Sequence, residues 1–251
     1  IDRVRHIVAD AKPHLVITHA PIAKEVLERV PALASLENLV VGDVRADAYH
    51  ADDWHRPYGL EDEIAFLQYS SGSTRAPRGV VITHANLQVH QERAHEVFQS
   101  PEGSTTVSWL PFYHDMGLIG SMLYPLYCGG RGVFLPPSSF LRRPMWWLRS
   151  VSEYGARTST APNFAYALCV DRIRDEQLEG VDLSRWHVAL NGAEPVAPAT
   201  LRRFVERFAQ WGLRVSRKRR ANELPAWISV FLNGVFLVFG TLYMVRKAII
   251  T

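Results

Sequence analysis

Residues 66 to 84 read Phe66-Leu67-Gln68-Tyr69-Ser70-Ser71-Gly72-Ser73-Thr74-Arg75-Ala76-Pro77-Arg78-Gly79-Val80-Val81-Ile82-Thr83-His84. The apolar run Ile64 to Leu67 predicts a buried strand and the β-branched run Val80 to Thr83 predicts a second, with hydroxyl, glycine, proline and arginine residues between them. Such a stretch is a loop hung between two strands. Its chemistry suits phosphate: Gly72 lets backbone amides approach a ligand, Ser70, Ser71, Ser73 and Thr74 add hydroxyl donors, and Arg78 supplies a forked cationic donor. It is not a Walker A loop, which closes on Gly-Lys-Ser/Thr after a shorter spacing, because Gly72 and Gly79 enclose six residues. An ordinary polar turn has the same composition, so composition alone leaves both readings open.

Residue order narrows the choice. Tyr69-Ser70-Ser71-Gly72-Ser73-Thr74, then Pro77-Arg78-Gly79-Val80 and Thr83-His84-x-Asn86-Leu87, resembles the phosphate loop of the adenylate-forming enzymes. That superfamily takes in acyl-CoA synthetases, fatty acyl-AMP ligases and peptide-synthetase adenylation domains. The usual pattern has glycine where Arg75 stands and lysine where Arg78 stands, and Arg78 keeps the charge.

Two further segments fall in the order of that family. Trp109-Leu110-Pro111-x-x-His114-Asp115-Met116-Gly117-Leu118-Ile119-Gly120 follows a predicted strand from Thr105 to Leu110, with a helix expected to begin near Gly117. A His-Asp pair at a strand's carboxyl end sits where α/β sheets bind ligands, although a hydrogen-bonded loop histidine is the plainer reading of such a pair alone. The segment resembles the superfamily's second signature, closest to the fatty acyl-AMP ligase branch. The resemblance puts His114 to Gly117 beside the acyl substrate, with His114 orienting the carboxylate under attack and stabilising charge. Downstream, Trp186 to Leu190 predicts a strand ending in Asn191-Gly192-Ala193-Glu194-Pro195-Val196. In isolation that is a turn, with Asn191 and Glu194 offering polar edges; in third position it resembles the adenine-binding segment of the same branch.

The rest of the chain fits an α/β pattern. Helical spacing over Ile1 to Ala11, strands at Leu15 to Thr18 and Leu39 to Val41, and a helix from Ala23 to Arg29 argue for a parallel sheet, with Asp43 to Glu61 a surface loop. Asn86 to Phe98, Leu118 to Tyr127 and Pro144 to Ser152 read as helices and Gly132 to Leu135 as a strand; Trp146 and Trp147 are either core or the wall of a lipid tunnel. Ser159 to Phe164 closes a strand and opens a helix, and the helix after Pro198 is stopped by Gly212.

At 251 residues, 47% hydrophobic and 21% charged, the chain is large enough for a sizeable core. Its net charge of +3 is uneven: seven basic residues and one acid stand from Arg214 onward, so the tail carries +6 and the remainder −3. The basicity belongs to the tail, and no aromatic-basic interleaving points to nucleic acid. Cys128 and Cys169 stand alone, which indicates neither a disulfide framework nor a thiolate metal site. The amino end lacks a secretory pattern and begins in mid-pattern, as if cut from a longer protein.

By resemblance, residues 1–213 are a partial AMP-binding domain with the doubly wound α/β sheet of the adenylate-forming N-terminal domain. The implied reaction joins a long-chain fatty acid to ATP, giving acyl-AMP and pyrophosphate with magnesium, in the cytoplasm. An acyl carrier protein or polyketide synthase is the implied acceptor. Ser70, Ser71, Gly72, Ser73, Thr74 and Arg78 would hold phosphates, Thr74, Arg78 and His114 would act in catalysis, and Asn191 to Pro195 would seat adenine. The family's magnesium-binding glutamate in a Tyr-Gly-x-x-Glu segment, its ribose-binding Thr-Gly-Asp and its late lysine have no match in the expected places. Tyr58-Gly59-Leu60-Glu61 and Gly42-Asp43 lie upstream, and the lysines are Lys12, Lys24, Lys218 and Lys247 alone, so little adenylation is expected from the chain by itself. A fatty acyl-CoA synthetase fragment and a non-catalytic membrane-anchored nucleotide- or acyl-binding module are the alternatives.

The tail does not continue the pattern. A basic linker at 214–223 precedes Leu224 to Val245, 22 residues without charge, where a membrane span takes about 20. A C-terminal hydrophobic helix is the expectation, with the domain on the cytoplasmic side because the larger basic cluster precedes it. The abrupt change near Arg214 favours an altered reading frame or a deletion over a natural tail anchor.

Overall fold

The structure, a computed structural model, describes residues 2–18, 28–34, 37–40, 63–69 and 77–213. The expected 43–61 loop, most of the 23–29 helix, the 214–223 linker and the 224–245 hydrophobic helix lie outside these residues. Among the described residues no helix is long and apolar enough to cross a membrane. The chain divides into two compact units, residues 1–87 and 88–251.

In the first unit, helix α1 (Asp2–Ala11) precedes strand β1 (Leu15–Thr18), and the short helix α2 (Pro31–Ala34) precedes β2 (Glu37–Val40). β1 and β2 pair in parallel with Leu15 opposite Glu37, as strand-helix-strand order requires. Strands β3 (Ile64–Tyr69) and β4 (Gly79–Thr83) pair antiparallel, with Tyr69 opposite Gly79. The two strands expected on either side of the polar stretch are therefore paired with each other. Tyr69 lies over Gly79, where an added Cβ would meet the phenol ring at 3.0 Å, and its hydroxyl donates to Asp10 Oδ2 at 2.7 Å.

Helix α3 (His84–Phe98) opens with a reciprocal cap: the Thr83 amide donates to Asn86 Oδ1 and the Asn86 amide donates to Thr83 Oγ1, each at 3.1 Å. The Thr-His-x-Asn pattern is thus first a helix start.

The second unit is built on a parallel sheet of β5 (Thr105–Ser108), β6 (Arg131–Phe134), β7 (Thr158–Ala161) and β8 (Val188–Asn191), in spatial order β6-β5-β7-β8. Helices cover both faces. On one, Ala94 and Phe98 of α3 with Tyr124 and Cys128 pack on Val188 and Leu190. On the other lie α6 (Pro137–Arg142), α7 (Met145–Glu153), α8 (Asn163–Arg172) and α9 (Pro198–Phe208), whose Phe140, Trp147, Tyr166, Phe204 and Phe208 share one core with Val107 and Ala161. This is the expected doubly wound arrangement. Strand alternation accounts for it: Thr160 meets Ser121 on the first face at 2.9 Å, whereas neighbouring Ser159 accepts the Trp147 indole N–H on the second at 2.7 Å.

Several boundaries differ from expectation. β5 stops at Ser108 rather than Leu110 because Ser108 Oγ accepts the Leu110 amide and turns the chain out of the ladder. β8 starts at Val188, while Trp186 joins the buried core and sends its indole N–H to the Val188 carbonyl. The single helix expected from Leu118 to Tyr127, beginning near Gly117, is instead α4 (Asp115–Gly117), a π-helical turn (Leu118–Leu123) and α5 (Tyr124–Tyr127). Pro125 supplies a reason: it has no amide proton and its ring crowds the carbonyl a turn before it, which a wider turn relieves. The tryptophan pair splits: Trp147 is fully buried, with ring centroids of Trp186 and Tyr166 at 5.3 and 5.5 Å, whereas Trp146 is half exposed. Gly212 ends the last helical stretch with φ +89°, as expected.

Candidate functional site

Because β5 to β8 run parallel, their carboxyl ends share one edge of the sheet. The His114 segment follows β5, the Pro162-Asn163 pair follows β7, and Asn191 to Pro195 follow β8. Two of the three sequence signatures thus emerge from one sheet edge, where ligands of open α/β sheets bind.

After β5, Pro111 turns the chain, and the His114 amide donates to its carbonyl at 3.1 Å. His114 Nδ1 lies 2.6 Å from Asp115 Oδ1, which also accepts the Met116 amide at 2.7 Å. The carboxylate fixes the imidazole ring and caps the first turn of α4 together. It also holds the His114 pKa above the ordinary histidine value, chiefly through this hydrogen bond, against a smaller opposing effect of burial. Nε2 is left as the other hydrogen-bonding atom of a half-exposed ring.

Behind this pair the backbone is locked. A Cβ on buried Gly117 would stand 2.2 Å from the Pro111 carbonyl oxygen, so only glycine lets the turn close. Ser121 Oγ donates to the Met116 carbonyl at 3.1 Å while meeting Thr160 Oγ1, and Gln91 Nε2 donates to the Ile119 carbonyl at 3.1 Å. The π-helical turn therefore offers the Ile119 carbonyl to α3 and sends the Ser121 hydroxyl back to α4. His90, beside Gln91, is pushed down to about 4 by burial, and Asp115 partly opposes that shift. Sequence reading missed Ser121 and Gln91 because they act on a turn whose π geometry no local pattern announces.

After β8, the two residues expected to offer polar edges each make a hydrogen bond within the protein, Asn191 from a buried position and Glu194 from a half-buried one. Asn191 is 4% exposed and donates from Nδ2 to Asn163 Oδ1 at 3.2 Å. Glu194 accepts the Phe164 amide at 2.5 Å, placing a carboxylate at the amino end of α8, where free amides and the helix dipole favour negative charge. Ala193 and Pro195 are the exposed residues of the segment, whereas Gly192 is buried and its amide donates to the Ala161 carbonyl at 3.3 Å. Ala193 has φ +66°, a left-handed conformation that a non-glycine residue keeps only when its surroundings impose it. Asn163 is a further residue that sequence reading passed over, although an asparagine just after a strand and at a helix start was a signal.

The first signature belongs to the other unit. Arg78 is exposed immediately before β4. Ser70, Ser71, Gly72, Ser73 and Thr74 lie outside the described residues, so their expected phosphate contacts stay expectations. Among the described residues no group of three His, Cys, Asp or Glu is gathered to hold a metal ion.

The sequence profile described as AMP-binding enzyme matches residues 1–216. The medium-chain-fatty-acid–[acyl-carrier-protein] ligase TtuA of Teredinibacter turnerae is 46% identical over 166 residues, 66% of this chain and 26% of that protein. The long-chain-fatty-acid–AMP ligase FadD23 of Mycobacterium tuberculosis is 39% identical over 225 residues, 85% of this chain and 38% of that one. The fatty acyl-adenylate ligase of L. pneumophila, solved with acyl adenylate and pyrophosphate, superposes with a TM-score of 0.75 at 38% identity, covering 85% of this chain and 37% of that one. The chain thus spans well under half the length of these relatives.

Proposed function

The chain belongs to the AMP-binding enzyme family, and from that premise we propose that it is part of a fatty acid–AMP ligase. The carboxylate oxygen of a long-chain fatty acid attacks the α-phosphorus of ATP. The bond between the α- and β-phosphates breaks, and acyl-AMP and pyrophosphate result. The observation that carries this reading is the meeting of the His114-Asp115 and Asn191-Pro195 segments at the carboxyl edge of one parallel sheet. It has support from the likeness to a ligase solved with both products.

No protein nucleophile is needed, because the fatty acid supplies one. In this reading the His114 ring, fixed by Asp115, donates toward the carboxylate and the α-phosphate oxygens. The exposed stretch from Ala193 to Pro195, with Ala193 at φ +66°, receives the flat adenine ring. Arg78, with the amides and hydroxyls of Ser70 to Thr74, neutralises charge on the departing pyrophosphate. Magnesium travels with ATP and is held largely by the phosphates. The acceptor of the acyl group is a carrier protein and the site is cytoplasmic; the name of one relative favours the former.

Binding of AMP and ATP to the chain, followed by calorimetry, tests the reading. ATP should bind the wild type, and Arg78→Ala should weaken ATP far more than AMP; no binding of either nucleotide rejects the assignment. With ATP, magnesium and a long-chain fatty acid, pyrophosphate release by the chain alone should be slow, because the magnesium glutamate and late lysine of the family have no counterpart after Val215. Loss of one preorganised contact already costs about a hundredfold to a thousandfold.

A further inference from the structure

Four contacts tie the ends of the 190–197 segment to the first turn of α8. Tyr166 donates its hydroxyl to the Leu190 carbonyl at 2.6 Å, and the Phe164 amide donates to Glu194. Asn163 Oδ1 accepts twice, from Asn191 Nδ2 at 3.2 Å and from the Ala197 amide at 3.1 Å. These two donors stand on opposite sides of Gly192 to Val196, so one carboxamide oxygen closes the segment into a ring. The Asn163 Nδ2 group points to Thr200 Oγ1 at 3.5 Å, in the first turn of α9. Within the ring Ala193 and Pro195 are exposed, and Ala193 is held at φ +66°.

We infer that Asn163 is a positioning residue for the nucleotide, whose carboxamide oxygen holds the 191–197 segment in the shape that receives the purine ring. The inference rests on the adenylate reading above. Asn191 is enclosed, so its amide protons have no water to turn to if Asn163 is lost, and the Ala197 amide loses its acceptor at the same time. The segment then relaxes Ala193 out of its left-handed conformation, and the backbone no longer matches a flat ligand. Because the Asn163 oxygen does the holding, aspartate retains the function: a carboxylate accepts from both donors and the Thr200 hydroxyl donates to it.

The test compares the wild type, Asn163→Asp and Asn163→Ala by AMP calorimetry, thermal unfolding and hydrogen exchange. Asn163→Ala should weaken AMP binding roughly tenfold, the loss of one enclosed donor's partner, and speed exchange at the 192–197 amides without changing exchange in β5 and β7. Asn163→Asp should bind AMP as the wild type does. The wild type needs no variant for a further check: the Asn191 side-chain amide protons should exchange slowly and shift in NMR spectra when AMP is added. Unchanged AMP affinity in a folded Asn163→Ala protein, or Asn191 protons indifferent to bound AMP, overturns the role of Asn163 alone. A wild type that binds no AMP removes the adenylate reading and this inference with it.

Discussion

His114 Nδ1 and Asp115 Oδ1 stand 2.6 Å apart, adjacent in sequence yet closed into a hydrogen bond because the Asp115 carboxylate also caps the Met116 amide. The protonated imidazole is therefore favoured in the fold. Asp115→Asn should lower the His114 pKa in an NMR titration toward the ordinary value, since a neutral amide holds imidazolium less strongly. The sign for stability follows: a histidine whose folded pKa is raised contributes fully below the unfolded value of about 6.5, and the contribution fades as pH rises through the folded value. The pair is partly solvent-exposed, so the fading should be shallow.

His90 has the opposite dependence. Its Nδ1 is enclosed, and burial holds the ring neutral down to about 4. As pH falls from about 6.5 toward that value, the unfolded chain gains a proton that the folded chain refuses, so stability drops across this window and levels off below it. The full shift corresponds to at most about 3 kcal/mol. His90→Gln should flatten urea-denaturation stability between pH 6.5 and 4 relative to the wild type; an unchanged slope would show that His90 takes up its proton in the fold.

The contrast between these histidines shows where the sequence was legible. His114 was found from a local string, and the neighbours that define it, Pro111 and Asp115, are part of that string. The alternating and apolar runs likewise predicted every strand of the second unit to within a few residues. What escaped depends on partners far along the chain: Glu194 accepts from an amide 30 residues away, and Gln91 reaches a carbonyl 28 residues on. Local composition offers those side chains to solvent, and only the packing of helices on the sheet recruits them. The π-helical turn belongs to the same class, since Pro125 disfavours a regular helix but does not say which wider turn replaces it.

Gly117 converts a close backbone approach into a test. A methyl group there would sit 2.2 Å from the Pro111 oxygen and 2.9 Å from its carbon, and neither atom belongs to a flexible side chain. Gly117→Ala should destabilise by about 1–3 kcal/mol, the usual cost of overpacking, and shift the NMR signals of His114, Asp115 and Met116. Gly120→Ala is the control, because a Cβ there meets nothing within 4 Å. Equal melting temperatures for the two variants would refute the account of the turn.

The centre of the second unit offers a test of how the sheet and its helices are joined. Trp147 is fully buried, and its indole N–H donates to Ser159 Oγ at 2.7 Å, while the Ser159 hydroxyl donates to the Val107 carbonyl at 2.6 Å. One hydroxyl thus links α7 to β7 and β5. Ser159→Ala strands the indole proton in an apolar setting and should cost about 1–3 kcal/mol. Trp147→Phe removes that donor together with part of a ring packed on Phe140 and Trp186, and should cost a similar amount through the cavity it leaves. In the double variant no indole proton remains to be stranded, so the combined loss in denaturant unfolding should fall short of the sum of the single losses. Strict additivity would mean that the bond from Trp147 to Ser159 contributes nothing, and that ring volume alone secures α7 to the sheet.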